Sequence, residues 1–283
     1  MNNKNTSSII GRIYDSCNFG KFIVLNEVIS FLYSENEPRF KIKFLNTGFQ
    51  TIASYSAIRH GKVRDKMVPN VAGIGYAGEN ITVTSPIYYR LYKTWNDMIN
   101  RCYNIHDRDY YLYGAIGIKV DEEWFSFYNF YNDAIKLPGY DMKLKYPDIY
   151  QLDKDYLQFD KPKSQRIYSK YTCMWISKFD NILIMNREKE NKSGYYGVVF
   201  NDNKYYTRIN NIIYGEFTIP EAAANLFNYI YPLIKNEFNN ITILNNVEPI
   251  PYEELYLYSV PNSKYTKHLV GSTTIPEMGV ELK

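Results

Sequence analysis

The stretch SGYYGVVFNDNKYYTRINNIIYGEF, residues 193–217, divides into three short β-branched and aromatic runs separated by Asn and Asp. Turn residues placed between such runs predict an antiparallel three-stranded meander. The next residues, TIPEAAANLFNYIYPLI (218–234), predict a helix. Thr218 and Glu221 have the T-x-x-E spacing of a capping box, and Pro220 suits a first helical turn, which needs no amide donor. The alanines let such a helix lie close on the sheet. Side chains alternate along a strand, so Lys204, Tyr206 and Arg208 share one face of the second strand. Tyr205, Thr207 and Ile209 share the other.

Upstream, PIYYRLYKTWNDMINRCYN (86–104) places Tyr88, Leu91, Trp95, Met98, Ile99 and Cys102 at three- and four-residue spacings. That is the stripe of an amphipathic helix, with Arg90, Lys93 and Arg101 opposite. YLYGAIGIKVDEEWFSFYNFYNDA (111–134) predicts a glycine-bounded strand and a second helix with Trp124, Phe127 and Phe130 on one side. In YQLDKDYLQFDKP (150–162), acidic and basic residues alternate at a strand end and turn. RIYSKYTCMWIS (166–177) reads as a strand and KFDNILIMNRE (178–188) as a helix, so the order is that of a ββα unit. By its residues alone, 150–162 can hold a metal, touch a phosphate or be an ordinary charged hairpin.

In residues 1–85, GKFIVLNEVISFLY, RFKIKFL and GFQTIAS are strand-like runs broken by ENEP and NTG, which predicts a β-rich domain. A short helix stopped at Gly61 and a basic loop with Arg59, Lys62, Arg64 and Lys66 follow. VAGIGYAGEN (71–80) reads as a loop or linker, since it lacks both the lysine of a phosphate-binding loop and the full spacing of a dinucleotide fingerprint. Residues 239–283 are richer in Asn and Pro and predict an extended or loosely docked tail, a contact arm. The 283 residues, 45% hydrophobic and 22% charged, fit a multidomain globular protein. A net charge of +3 neither demands nor excludes nucleic acid. The 30 tyrosines accompany abundant Asn, Ile and Lys, a bias that suits an A+T-rich coding genome. Three dispersed cysteines and three dispersed histidines argue against a disulfide framework and a structural zinc site. No apolar run approaches ~18 residues, so a soluble, intracellular protein without a membrane span is expected.

Two family resemblances rest on these residues. Tyr92, Trp95, Met98, Arg101, Cys102 and Tyr103, Tyr113-Gly114, Gly117-Ile118, VDEEW (120–124), Phe127, Phe130, QLDKD (151–155) and IYSKYTCMWIS through to Asn181 resemble, in order, the HNH endonuclease-like proteins of phages. The stretch GKVRDKMVPNVAGIGYAG (61–78) resembles the leader that precedes that module. GYYGVVF, KYYTRI, YGEF and PEAAANLFN, within 193–235, resemble the DNA-binding domain of plant ethylene-response factors (the APETALA-two family).

The first resemblance implies metal-dependent DNA cleavage with Mg²⁺ or Mn²⁺. It places Asp153 at the acidic metal-ligand position, Lys154 at or beside the base position and Asn181 at the helix ligand position. Histidine, the family's usual base, is absent between Asp107 and Lys267. Lysine beside Asp153 and Asp155 suits a phosphate contact better than a base, which leaves Asp155 as base or second ligand. The second resemblance implies that Lys204, Tyr206 and Arg208 face DNA, joined by Tyr196 and Val199. Apart from it, the basic cluster of Arg59, Lys62, Arg64 and Lys66 offers further phosphate contacts, with Lys62 and Arg64 as its candidates.

The expected fold class is α+β. It comprises a small β-rich N-terminal domain (1–85), a degenerate HNH-like ββα module with flanking helices (86–190), a three-stranded antiparallel sheet plus helix (191–238) and the tail (239–283). The expected function is binding of double-stranded DNA, with nicking or cleavage open, in the host cell cytoplasm. The alternative is a non-catalytic virion component or inhibitor of a host protein, meeting its partner through a Tyr-rich surface.

Overall fold

Four antiparallel strands open the chain, β1 (Ile13–Ser16), β2 (Gly20–Val28), β3 (Arg39–Phe44) and β4 (Gln50–Ser54), in sheet order β1-β2-β3-β4. The RFKIKF of β3 alternates, so Phe40, Ile42 and Phe44 enter the core while Lys41 and Lys43 stay exposed. Phe22 and Val24 of β2 pack with them. The computed structural model describes residues 9–29, 38–79, 81, 83, 85–189, 193–209, 211–234 and 244–269. Most of the ENEP break, and residues 239–243 and 270–283 of the expected tail, lie outside them.

After β4 comes α1 (Tyr55–Arg59), capped by Ser54, whose Oγ accepts from the Ala57 amide. Residues 71–79 form the expected loop, made of turns and isolated bridges and tied to the residues that follow. The Tyr76 amide donates to the Phe125 carbonyl and the Phe127 amide to the Tyr76 carbonyl, each at 2.9 Å. In α2 (Pro86–Tyr103), Leu91, Trp95, Met98, Ile99 and Cys102 of the expected stripe are buried, and Tyr88 is half-buried. β5 (Lys119–Val120) and α3 (Phe127–Ala134) follow, and the Trp95 indole donates to the Trp124 carbonyl at 2.7 Å.

The chain forms two compact units, residues 1–135 with 162–169, and residues 136–161 with 170–283. The expected boundary at 85 therefore falls inside the first unit. The chain enters the second unit with α4 (Tyr140–Lys145) and β6 (Tyr150–Asp153) and returns to the first as β7 (Ile167–Tyr168), parallel to β5. It then re-enters the second unit with β8 (Met174–Ser177), antiparallel to β6, and α5 (Lys178–Lys189). The run expected as one strand over 166–177 is thus two strands in different units. The strand–strand–helix order of a ββα unit is met by β6, β8 and α5.

The meander forms as read: β9 (Val198–Asn201), β10 (Lys204–Ile209) and β11 (Ile212–Phe217), with β10 central. Asp202 and Asn203 both have positive φ, 47° and 60°, the backbone of a two-residue type I′ hairpin turn. Helix α6 (Pro220–Ile234) lies on one face, with Ala222, Ala223 and Ala224 fully buried. The sheet meets it at glycine: a Cβ on Gly197, φ +64°, would stand 2.1 Å from the Phe227 ring. Thr218, expected to cap α6, donates its hydroxyl to the Tyr258 carbonyl.

Residues 244–269 are not a loose tail. Tyr252, Leu255 and Leu269 enter the core formed by α5, the sheet and α6. Asparagine amides act as substitute strand backbone. Asn225 donates to the Glu248 carbonyl and accepts from the Ile250 amide, and Asn228 pairs likewise with Asn245.

Candidate nucleic-acid interface and the ββα charge cluster

Asp153 ends β6 and is 4% exposed. Its Oδ2 accepts the amides of Asp155 and Tyr156 at 2.9 and 2.8 Å, which starts the short 3₁₀ turn Tyr156–Gln158. Burial pushes its carboxyl up to about 6, against partial relief from those two amides. Lys154 is also 4% exposed, and its ammonium closes on both oxygens of Asp155 at 2.8 and 2.9 Å. The expected phosphate contact at Lys154 is therefore enclosed, because the turn that Asp153 caps folds this side chain inward onto Asp155.

Asn181 is half-buried on α5, and its neighbour Asp180 is the residue drawn in. Asp180 is fully buried and accepts from the Tyr231 hydroxyl at 2.8 Å, while its amide donates to Ser177 Oγ. Burial, reinforced by the Asp180 charge, raises the Tyr231 hydroxyl and takes Tyr150 to about 12. Sequence reading overlooked Asp180, although Ser177 and Asp180 have the S-x-x-D spacing of a helix cap.

Among the described residues, no group of three or more His, Cys, Asp and Glu stands together to hold a metal. Asp153 accepts two backbone amides through one oxygen, and Asp155 faces an ammonium. As arranged, this donor set does not fit a divalent cation, which needs several uncommitted oxygens converging on one point.

The outer face of the C-terminal sheet carries the second set of expected residues. Thr207, fully buried, donates to the Ala223 carbonyl on the α6 side, so Lys204, Tyr206 and Arg208 stand on the opposite face. Val199 of β9 pairs with Tyr206 on that face. Tyr196 does not join them. It is 7% exposed in the core, with its amide donating to Asn245 Oδ1 at 2.6 Å.

The outer face also holds an acid that sequence reading did not use. Glu216 of β11 pairs with Tyr206 in register and is 7% exposed. Its Oε1 accepts from Lys204 Nζ at 2.7 Å and from the Tyr206 hydroxyl at 3.2 Å, and its Oε2 accepts from the Ser263 hydroxyl. Burial alone would raise the Glu216 carboxyl, but these hydrogen bonds hold it below the ordinary range. The bond to Glu216 in turn raises the Lys204 ammonium. No local signal gives this cluster, because it depends on strand register and on a segment some 47 residues away.

In the first unit, Lys62 and Arg64 are exposed on either side of buried Val63. They line a cavity of about 260 Å³ beside the β1–β2 turn, where the Cys17 amide donates to the Gly61 carbonyl and Ser16 Oγ to that of Val63. Neither cation makes a side-chain hydrogen bond or ion pair with another described residue. No helix among the described residues is long and apolar enough to cross a membrane. Comparisons of the chain with protein-family models, with curated proteins and with solved structures find no significant match.

Proposed function

We propose that the chain is a DNA-binding protein of the phage endonuclease-like type, acting in the host cytoplasm, whose ββα unit serves as scaffold. The observation that carries this reading is the outer face of the C-terminal sheet. There Lys204, Tyr206 and Arg208 stand together on the central strand, turned away from α6. Such a strand can offer cations to phosphates and an aromatic edge to bases in a major groove. In the first unit, Lys62 and Arg64 offer phosphate contacts of their own.

The test is a salt titration of the full chain on duplex DNA. Each phosphate neutralised contributes about −0.9 to the slope of log affinity against log salt. Arg208→Ala is expected to flatten that slope by about one. Absence of binding at the lowest salt would end the proposal. Long duplex DNA with Mg²⁺ or Mn²⁺ is expected to remain uncut, and cutting that Asp153→Ala abolishes would restore the catalytic reading.

A non-catalytic interaction protein on the same scaffold is favoured by two observations: Lys204 is already ion-paired with Glu216, and Tyr206 already meets Tyr265. Under that reading the full chain binds no DNA at low salt, and its Tyr-rich surface meets a protein instead.

A further inference from the structure

We propose that residues 258–269 are an intramolecular cover, which holds Glu216 as an internal counter-ion on Lys204 and so competes with DNA for the outer sheet face. The inference rests on the DNA-binding reading above and adds a device that sets its strength.

One antiparallel bridge, made of two backbone hydrogen bonds, seats the segment. The Thr218 amide donates to the Tyr258 carbonyl, the Val260 amide donates to the Glu216 carbonyl, and Phe217 bridges Ser259. The chain thereby continues the sheet past its β11 edge. It then brings Ser263 onto Glu216 Oε2, leaving Oε1 to Lys204 and Tyr206. Tyr265 finally sets its ring edge-on to Tyr206, with centroids 6.4 Å apart.

The consequence is electrostatic and steric at once. Lys204 is still 40% exposed along its side chain, yet its ammonium already faces a carboxylate. A phosphate arriving there must displace Glu216, whose other oxygen Ser263 holds. A base arriving at Tyr206 must displace the Tyr265 ring. Anchoring by Leu269, fully buried, keeps the segment's far end in place while the contacts at 259–265 open.

The experiment uses the full chain and a fluorescent 30-base-pair duplex, with affinity read by anisotropy across a salt series. Glu216→Gln keeps the shape of the site and removes the counter-charge. It is expected to tighten binding about tenfold at low salt and to steepen the salt slope by about one, as Lys204 gains a phosphate. Asp202→Asn, an equal charge change on the exposed β9–β10 turn, is the control and is expected to change affinity far less. Tyr265→Ala is expected to tighten binding with no change of slope.

In the unmodified protein, saturating DNA is expected to speed hydrogen exchange at the Val260 and Thr218 amides, a readout that stands even where a variant fails to fold. Weaker binding in Tyr265→Ala, or unchanged exchange at both amides on DNA saturation, overturns the cover. Equal effects of Glu216→Gln and Asp202→Asn overturn it as well. Any of these results, alongside a flattened slope in Arg208→Ala, leaves DNA binding standing. Absence of binding by every form at the lowest salt overturns both.

Discussion

Asp153 occupies the acidic position of the ββα resemblance, yet its surroundings make it a turn cap. Its carboxyl rises from an ordinary 3.8 to about 6 because burial disfavours the charged form. Between those values the folded chain holds a proton that the unfolded chain has released. Stability from this group is therefore greatest below about pH 4, falls as pH rises to about 6 and is level beyond. At ~1.4 kcal/mol per unit of pKa, the ionised form costs a few kcal/mol at neutral pH.

Asp153→Asn keeps an oxygen for the Asp155 and Tyr156 amides and cannot ionise. It is expected to raise stability at pH 7.5 by about 1–3 kcal/mol and to flatten the acid-side dependence, read from urea melts at pH 4.5 and 7.5. Asp153→Ala loses the cap as well and is expected to gain less than the Asn variant by about 1 kcal/mol. Equal melts for wild type and Asn at both pH values would sink this account. The alternation of charges around Asp153 was legible at this scale. Its burial was not, since burial depends on what β8 and α5 place over it.

At the scale of elements, the C-terminal sheet and helix show how far local rules reach. Alternation placed Thr207 and Ile209 on one face and the family resemblance turned that face inward, the Asn/Asp run gave the β9–β10 turn, and the Ala-rich face gave α6. Close approach at Gly197 explains the glycine of GYYG. Gly197→Ala is expected to cost at least about 3 kcal/mol, from overpacking against Phe227 and from a positive φ, measured by denaturant unfolding. Two features escaped local reading. Tyr196 looks like an outer-face residue by analogy, but the turn at Gly197 sends it into the core. Asparagine-rich stretches look like loops, but Asn225 and Asn228 bind the backbone of 245–250. Asn225→Ala, which strips partners from the Glu248 carbonyl and Ile250 amide, is expected to cost about 2 kcal/mol in the same measurement. A loss below about 0.5 kcal/mol would mean that water replaces the amide there.

Across the whole molecule, the two units carry their cations differently. Lys204 is matched by an acid, while Lys62 and Arg64 stand open beside their cavity. The double change Lys62→Ala with Arg64→Ala is expected to flatten the salt slope of DNA binding by up to about two. Stability should move by less than about 0.5 kcal/mol, as for other exposed side chains. An unaltered slope would remove this loop from the interface. Chain order alone suggested four segments. The chain clusters into two compact units, and the 162–169 stretch joins the first because β7 pairs back onto β5 before the chain resumes at β8.

The sequence by itself determined the α+β class, the C-terminal meander with its turn and helix, and the buried stripe of α2 with Trp95 and Cys102. Each of these follows from periodicity and turn chemistry over fewer than about 20 residues. Only the tertiary structure decided which charges are available. The sequence set Asp153 at a ligand position, Lys154 and Lys204 at phosphate contacts and gave Glu216 no role; the state of all four depends on partners brought in by register, helix packing and the 258–269 segment. An ionisable group takes its character from what surrounds it, and those surroundings come from distant parts of the chain.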